Sequence, residues 1–445
     1  MKELEGMKVI VAGAGIGGLA AAKELGKAGA EVTVYERADS VDEMRYPWHD
    51  DVQPEAFARA GLDVPEGSFR KKNWTFVTPD GAVRRMYEAE EKEDFSVWRR
   101  ALNRELVKSA EEYAEIKFSY EVEGAIAENG RVKGIIANGE KVYADLVVDS
   151  LGAFSSLKKD VPGVTVHEAD EIFVTYRAFR RKNAAAPEAE YTNKVYLKHK
   201  GERGIAWAIQ DGDEVDVLAG RLGGASKEEF ASAIAHLEKE NPTIGAETVR
   251  GGGMYRIPVR YPATRMVADG YAAIGDAAYM TVPMLGSGIA TSLAAAGMLA
   301  KCLTEAAGKG AEEAVSVKNL WNYERDFYLA FGAEFCGVDV TKRGVLGFPD
   351  VLLGWLLTSK VLTNDDVCAL AKGRFLNIGV KEALKKVKAA GLKKLPALLR
   401  VNAMLTRGKR AIKTARRIPA VYAPRAVGKW ERKLVKAVTG KDIRR

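Results

Sequence analysis

A short apolar run, Lys8 to Ala12, leads directly into Gly13-Ala14-Gly15-Ile16-Gly17-Gly18, and the pattern LAAAKELGKAG that follows stops at Gly29. Few folds accommodate that order. An apolar run without alternation suits a strand buried on both faces. The next segment has helical periodicity and ends at a glycine. EVTVY supplies a second strand, closed by Glu36. Strand, glycine turn, helix and strand within about 30 residues form a βαβ unit. Gly13, Gly15 and Gly18 have GxGxxG spacing. The first glycine permits the tight turn, the second lets backbone approach a pyrophosphate, and the third lets helix and strand pack closely. The helix N-terminus offers free N–H groups to phosphates. Glu36 stands where a carboxylate accepts ribose hydroxyls, with Gly17 and Arg37 beside these positions. The competing reading is a tight strand–helix turn that holds no ligand.

The rest of the chain extends this α/β plan. Residues 99–114 are expected to be helical, and 116–148 form short strands with Asn-Gly turns at 129–130 and 138–139. ADLVVDSLGA returns to a buried strand, 171–222 is strand-rich, and 226–240 is helical. AAIG (272–275) is one more core strand, followed by Gly275-Asp276-Ala277-Ala278 and the turn Pro283-Met284-Leu285-Gly286-Ser287-Gly288. That turn opens an Ala- and Ser-rich helix over 286–307. An aspartate delivered by a strand beside small residues can hold hydroxyls, and N–H groups around Gly286–Ile289 can stabilise developing negative charge. The same residues would also suit a buried N-cap and a packing helix. The expected organisation is a discontinuous Rossmann-type dinucleotide domain (1–160 and 250–310), a β-rich substrate domain (161–249) and a helical region (311–445).

Charge is unevenly spread. Residues 380–445 hold 21 Lys/Arg against three Asp/Glu, a local +18, so the preceding residues carry −10 of the chain's net +8. A basic, amphipathic tail on an acidic body suits an anionic surface. With only Tyr422 and Trp430 as aromatics beyond 380, the tail lacks a stacking platform for nucleic acid, and none is expected as a partner. VLGFPDVLLGWLL (345–357) is apolar but broken by Pro349 and Asp350, so it fits a membrane interface rather than a span. The start goes straight into a strand with no secretion signal. The three cysteines, Cys302, Cys336 and Cys368, form no CxxC pair, which fits a reducing cytosol. The expected location is cytoplasmic, peripherally on the cytoplasmic membrane face.

Gly13–Gly18 with Glu36, Arg99 in RRALNREL, Asp149-Ser150-Leu151-Gly152-Ala153-Phe154-Ser155 and GDAAYMTVPMLGSGI together resemble the motifs of one FAD-binding superfamily. It includes the aromatic-ring hydroxylases, the flavin halogenases and the geranylgeranyl reductases. The resemblance covers about residues 1–300 and implies bound FAD. Glu36 would meet the adenosine ribose, Arg99 the pyrophosphate and ribityl region, and Asp276 the ribityl chain or pyrophosphate. The Gly286, Ser287, Gly288 and Ile289 turn would face the flavin ring. The hydroxylases often have Asp-Gly where Ser150 and Leu151 intervene here, which leaves any NADPH contact by this segment in doubt. No second GxGxxG is present for a separate NADPH domain.

Within the superfamily, GIAWAIQDGDEVDVLAG (204–220) resembles the YxWxFP strand that lines the lipid cavity of the geranylgeranyl reductases. Trp207 matches strictly, while Ile205, Ile209 and Gln210 stand at the Tyr, Phe and Pro positions. The competing reading is an ordinary sheet tryptophan. The halogenase pattern Trp-x-Trp-x-Ile-Pro lacks its first Trp and its Pro here. The reductases commonly carry Cys-Gly soon after the second strand. ADSVDEMRYPWHDDVQPEAF has none and offers Tyr46, Trp48, His49, Asp50 and Asp51. The resemblance therefore implies an FAD-dependent reductase that saturates C=C bonds of an isoprenoid lipid, with Trp207, Ile209 and Trp48 lining the substrate site. The proton would come from His49, oriented by Asp50 or Asp51, or from water held by the Gly286–Gly288 turn. NAD(P)H or a redox protein would supply electrons. The alternative is a monooxygenase of the aromatic hydroxylase type. His167, His199 and His236 show no constellation and are expected to be structural.

Overall fold

The computed structural model describes residues 2–44, 46, 48–70, 74–86, 94–166, 171–359, 361–376 and 378–441. His167 lies outside them. The apolar run predicted as a buried strand is one: Lys8–Ala12 is central in a six-stranded sheet, flanked in parallel by Glu31–Tyr35 and Leu146–Asp149. Ala114–Lys117 extends one side, and Tyr271–Ala273 with the antiparallel Val267–Ala268 the other. Val11, Val34, Leu146, Val147 and Val148 are fully buried, as a sheet covered on both faces requires. The helix Ile16–Lys27 packs beside Ile289–Thr304 and Arg99–Glu111, its Ala and Gly face turned inward.

A second sheet of seven strands forms the wall of the substrate domain. Its order is Ile244–Pro258, Ile172–Lys182, Glu214–Leu222, Gly204–Asp211, Asn193–Leu197, Thr75–Val77 and Val83–Arg85. The sheet thus reaches beyond 161–249. It recruits two short strands from the first third of the chain and runs on to Pro258, where the expected boundary at 250 falls mid-strand. The helix Lys227–Glu240 covers one face. It starts in a capping box between Ser226 and Glu229, and it buries Phe230, Ala233 and Leu237 against Val215, Val217 and Ala219.

On that covered side His199 and His236 meet, Nε2 to Nδ1 at 3.0 Å, so two histidines expected to show no constellation form a pair. Burial, helped by Arg221 and His236, pushes the His199 imidazole down to about 4. The folded state therefore holds it neutral, whereas the unfolded chain takes up a proton near ~6.5. Stability is present above the unfolded value and is lost as pH falls toward the folded one. Wild type is expected to lose thermal stability between about pH 6.5 and 4, and His199→Gln to flatten that slope. Melting curves of both proteins across the window check it, and an equally steep fall in the variant would place the acid sensitivity elsewhere.

The helical C-terminal region is not a free tail. Ala333–Leu346 and Leu395–Ala415 pack at close range because glycines face side chains there. A Cβ on Gly337 would lie 2.6 Å from Ile412 Cδ1, and Gly344 faces Met404. The last helix, Pro424–Thr439, is anchored by Trp430, whose ring meets Trp321 and Tyr328 edge-on and whose indole donates to Thr414 O at 3.1 Å. Glu431 accepts from Arg265 at 2.9 Å. Truncating a buried tryptophan of this kind costs roughly 3–5 kcal/mol. Much of the basic tail is therefore structural, and its cations occupy the outer faces of packed helices.

Candidate functional site: a dinucleotide cradle joined to an apolar cavity

The glycine turn has the geometry its spacing demands. Gly13 sits at φ +93°, where a Cβ would lie 2.8 Å from Ser150 O. A Cβ on Gly18 would fall within the radius of Gly13 O. Gly15 caps the helix with no side chain on its N-terminus, and a Cβ there would meet Ser150 Oγ at 3.1 Å. The first-turn N–H groups have no intrahelical acceptor, and no side chain caps them among the described residues. Such a helix N-terminus suits an anionic pyrophosphate. Ser150, which departs from the Asp-Gly pattern, thus supplies the floor on which three glycines rest. Gly17 plays another part: it packs against Ile274, where a Cβ would be 3.1 Å from Cγ1. Glu36 accepts from Ala14 N at 2.9 Å and Ala38 N at 3.0 Å, which holds its carboxylate at the rim. Arg37 is exposed beside it.

The second motif converges on the first. Asp276 lies in the turn Gly275–Ala278 and accepts from Thr281 Oγ1 at 2.8 Å. A Cβ on Gly288 would come within 3.6 Å of Asp276 Oδ1. Burial raises the Asp276 carboxyl, while the Thr281 hydroxyl and Arg99 lower it. Arg99 donates to Asp50 Oδ2 at 2.8 Å. Ser287 Oγ donates to Asp51 O at 3.1 Å, which ties the Gly286–Gly288 turn to the strand His49–Val52. Gly288 is the N-cap of Ile289–Thr304 with no side-chain cap, so the N-terminus of this second helix is likewise free of a capping side chain.

One residue here carries no motif signal. Lys158 is buried with its ammonium 4.2 Å from the Tyr279 ring centroid and without a hydrogen-bond partner among the described residues. Burial pushes it down to about 8, against the pull of Asp149 and Asp276. Asp149 itself turns inward to Tyr271 OH at 2.6 Å. A buried cation without a hydrogen-bond partner, within electrostatic reach of Asp276, fits an anionic ligand.

A cavity of about 470 Å³ starts at Pro283–Gly286. It passes Ile257, Val259, Trp207 and Leu218 on the seven-stranded sheet and continues between Asp350–Thr358 and Leu395–Ala415. Its wall is almost wholly aliphatic and aromatic, with Thr341 and Lys342 among the polar exceptions. Trp207 lines it, and the buried indole N–H has no acceptor among the described residues. Leu353, Leu356 and Leu357, from the apolar segment expected at a membrane interface, are cavity wall instead.

The other expected residues lie elsewhere. Ile209 shares the Trp207 face of its strand, but it lines a separate cavity of about 160 Å³ together with His49, Asp211 and Asp216. His49 Nδ1 is 3.8 Å from Asp211 Oδ2, while Asp50 is engaged by Arg99 and by Trp48 Nε1. Alternation along His49–Val52 parts His49 from Asp50, because successive side chains point to opposite faces. Trp48 is buried against Tyr255 and the Arg177 guanidinium, 4.5 Å from its ring. Arg177, also 5.2 Å from the Trp207 ring, makes a two-pronged ion pair with Asp216 at 3.0 and 2.7 Å. Sequence reasoning had no signal for this pair beyond a charge in a buried strand.

A family model described as an FAD binding domain matches residues 6–316. The chain belongs to this FAD-binding family, and FAD is its cofactor. Among curated proteins it is 26% identical to a digeranylgeranylglycerophospholipid reductase of Methanococcoides burtonii, over 77% of this chain and 85% of that one. It is 26% identical to a similarly named protein of Methanopyrus kandleri, over 64% of this chain and 77% of the relative. Among solved structures, a geranylgeranyl bacteriochlorophyll reductase-like protein of Thermoplasma acidophilum superposes with a TM-score of 0.72 at 18% identity, covering 90% of this chain and 100% of that one. A myxobacterial chondrochloren halogenase follows the same fold with a TM-score of 0.58 at 16% identity, over 90% and 97%.

Proposed function

We propose that this chain is an FAD-dependent reductase that saturates carbon–carbon double bonds of an isoprenoid, geranylgeranyl-type lipid. The observation that carries the reading is the apolar cavity that begins at the cofactor-side turn Pro283–Gly286 and continues into the C-terminal helices. Such a shape suits a long hydrocarbon chain with few polar groups to orient. The names of the curated relatives point the same way.

Bound FAD, once reduced, supplies hydride. The glycine cradle Gly13–Gly18 holds its phosphates, Glu36 its adenosine ribose, and Asp276 with Arg99 the chain between. Lys158 adds a buried cation within electrostatic reach of Asp276. N–H groups at Gly288 and Ile289 would stabilise negative charge on its ring. Trp207 and the aliphatic wall orient the alkene and keep bulk water out. The proton comes from a water held at the Gly286–Gly288 turn. His49, the other candidate acid, lines the smaller cavity with Asp211. Electrons reach the protein from NAD(P)H or a redox protein, and an anionic membrane surface at the cytoplasmic face presents the substrate.

The test is anaerobic. The protein is reduced with dithionite, mixed with a geranylgeranyl lipid, and followed by the visible band of oxidised flavin and by mass spectrometry of the lipid. Reoxidation with two hydrogens gained per double bond is the expected result. A flavin that stays reduced until air enters, with the lipid unchanged, overturns the reading in favour of oxygen chemistry of the hydroxylase type.

A further inference from the structure

The cavity has a mouth, and the mouth is apolar and basic at once. Val387, Leu395 and Leu399 line the cavity and are also solvent-exposed, by 38%, 41% and 60%. Side chains that do both mark where the cavity opens. Leu384, three residues before Val387, is 65% exposed, and Val351, two residues before the cavity-lining Leu353, is 73% exposed. Leu384 and Val387 are three residues apart on the helix Val380–Ala390, and Leu395 and Leu399 four apart on the next, so each pair shares a face. Large aliphatic side chains left open around one opening need an apolar partner.

The charge around the opening says which kind. Residues 381–400 hold seven Lys/Arg and one Glu. Lys386 is committed inward to Asp366 and Val361 O, and Glu382 is 3.5 Å from it. Lys381, Lys385, Lys388, Lys393 and Arg400 are exposed and enter no ion pair among the described residues. No helix of the described residues is long and apolar enough to cross a membrane. Short amphipathic helices with aliphatic and cationic residues interleaved lie in an interface rather than span it.

We propose that the opening formed by Val351, the helix Val380–Ala390 and the start of Leu395–Ala415 is the face that rests on an anionic bilayer, and that hydrocarbon chains enter the cavity through it. The lipid-entry half rests on the reductase reading. The bilayer half stands on the exposed residues alone. A chain drawn directly from a bilayer into an aliphatic cavity never exposes its methylenes to water. This narrows the membrane contact from the whole basic tail to one edge, because Pro424–Thr439 is packed into the core by Trp430.

The full-length FAD-loaded protein is sedimented with vesicles of neutral phosphatidylcholine, with and without phosphatidylglycerol. Wild type is expected to bind the anionic vesicles, less so as salt rises. Lys385→Glu with Lys388→Glu, and separately Val351→Glu with Leu384→Glu, should weaken binding roughly tenfold or more. Arg432→Glu with Lys433→Glu, an equal charge change on the exposed side of the last helix, should leave binding nearly intact. Turnover of a detergent-dispersed lipid separates the two claims. Lost vesicle binding with retained turnover supports the portal, and wild type without turnover that still binds vesicles this way sinks only the reductase reading. Equal losses in both charge-reversal pairs, or no binding by wild type, would overturn the proposal. So would a wild-type dimer that Val351→Glu with Leu384→Glu converts to monomer, which would give this face to a second copy of the chain.

Discussion

Gly15→Trp is expected to give a folded protein that purifies without its flavin colour and gains no thermal stability from added FAD. The reasoning is local. A Cβ at Gly15 meets Ser150 Oγ at 3.1 Å, a contact a hydroxyl rotamer can relieve, so the backbone can carry a side chain there. The indole then fills the space over the helix N-terminus where a pyrophosphate would lie. At ligand a hundredfold above Kd, bound FAD contributes about 2.7 kcal/mol of apparent stability, and that contribution disappears. Gly18→Val is the harsher companion. Its Cβ would overlap Gly13 O, a backbone atom that cannot swing away, so about 1–3 kcal/mol or more of overpacking is added to the lost ligand. Gly297→Ala is the control. Gly297 is exposed mid-helix with nothing within 4 Å of its Cβ position, so alanine should stabilise by up to roughly 0.5–1 kcal/mol and keep FAD. Absorbance in the flavin band and melting with and without added FAD read all three. A yellow Gly15→Trp protein that FAD still stabilises would remove the glycine turn from the cofactor site.

That turn was legible because its signals are local. Gly13, Gly15 and Gly18, the strand before them and Glu36 after them lie within one βαβ unit, and the required φ and close contacts belong to neighbouring residues. The helix expected over 226–240 was legible for the same reason, since its capping box joins Ser226 to Glu229 three residues on. The cavity was only half legible. Trp207 stood out by its match to the YxWxFP strand of the reductases, but the opposite wall comes from residues 341–409, whose leucines and valines have helical spacing. An aliphatic stripe reads the same whether it faces a packed core or a void, because periodicity reports burial and not what fills the space. The apolar segment at 345–357 shows the ambiguity. Its break at Pro349 correctly excluded a span, yet Leu353 and Leu356 face the cavity while Val351 points out. His49 illustrates a different limit. Its chemistry made it attractive, but which face of a four-residue strand meets the cofactor is set by pairing with Phe95–Trp98, a partner that sequence did not announce. Lys158 was silent because a lysine matters there only through the absence of a partner, which is a property of the fold.

Ile205→Trp is expected to lower kcat/KM for a geranylgeranyl lipid by about a thousandfold while leaving FAD content and melting temperature nearly unchanged. Ile205 lines the cavity two residues before Trp207 on the same face of the strand and is only partly buried, so a larger ring projects into the cavity space rather than into packed core. Denying the substrate one five-carbon unit forfeits about 0.8 kcal/mol per methylene-sized group, or about 4 kcal/mol, and about 1.4 kcal/mol corresponds to each tenfold. A substrate with a single prenyl unit, which needs less of the cavity, should suffer far less. The discriminating comparison is Ile209→Trp, four residues further along the same face. Ile209 lines the smaller cavity with His49 and Asp211, so the long and short substrates should respond to it alike and weakly. Steady-state rates with both substrates and both variants decide the matter. If Ile209→Trp proves the more damaging to the long lipid, the substrate lies along the His49 cavity instead. His49 then returns as the proton donor, with Asp211 rather than Asp50 as its carboxylate neighbour.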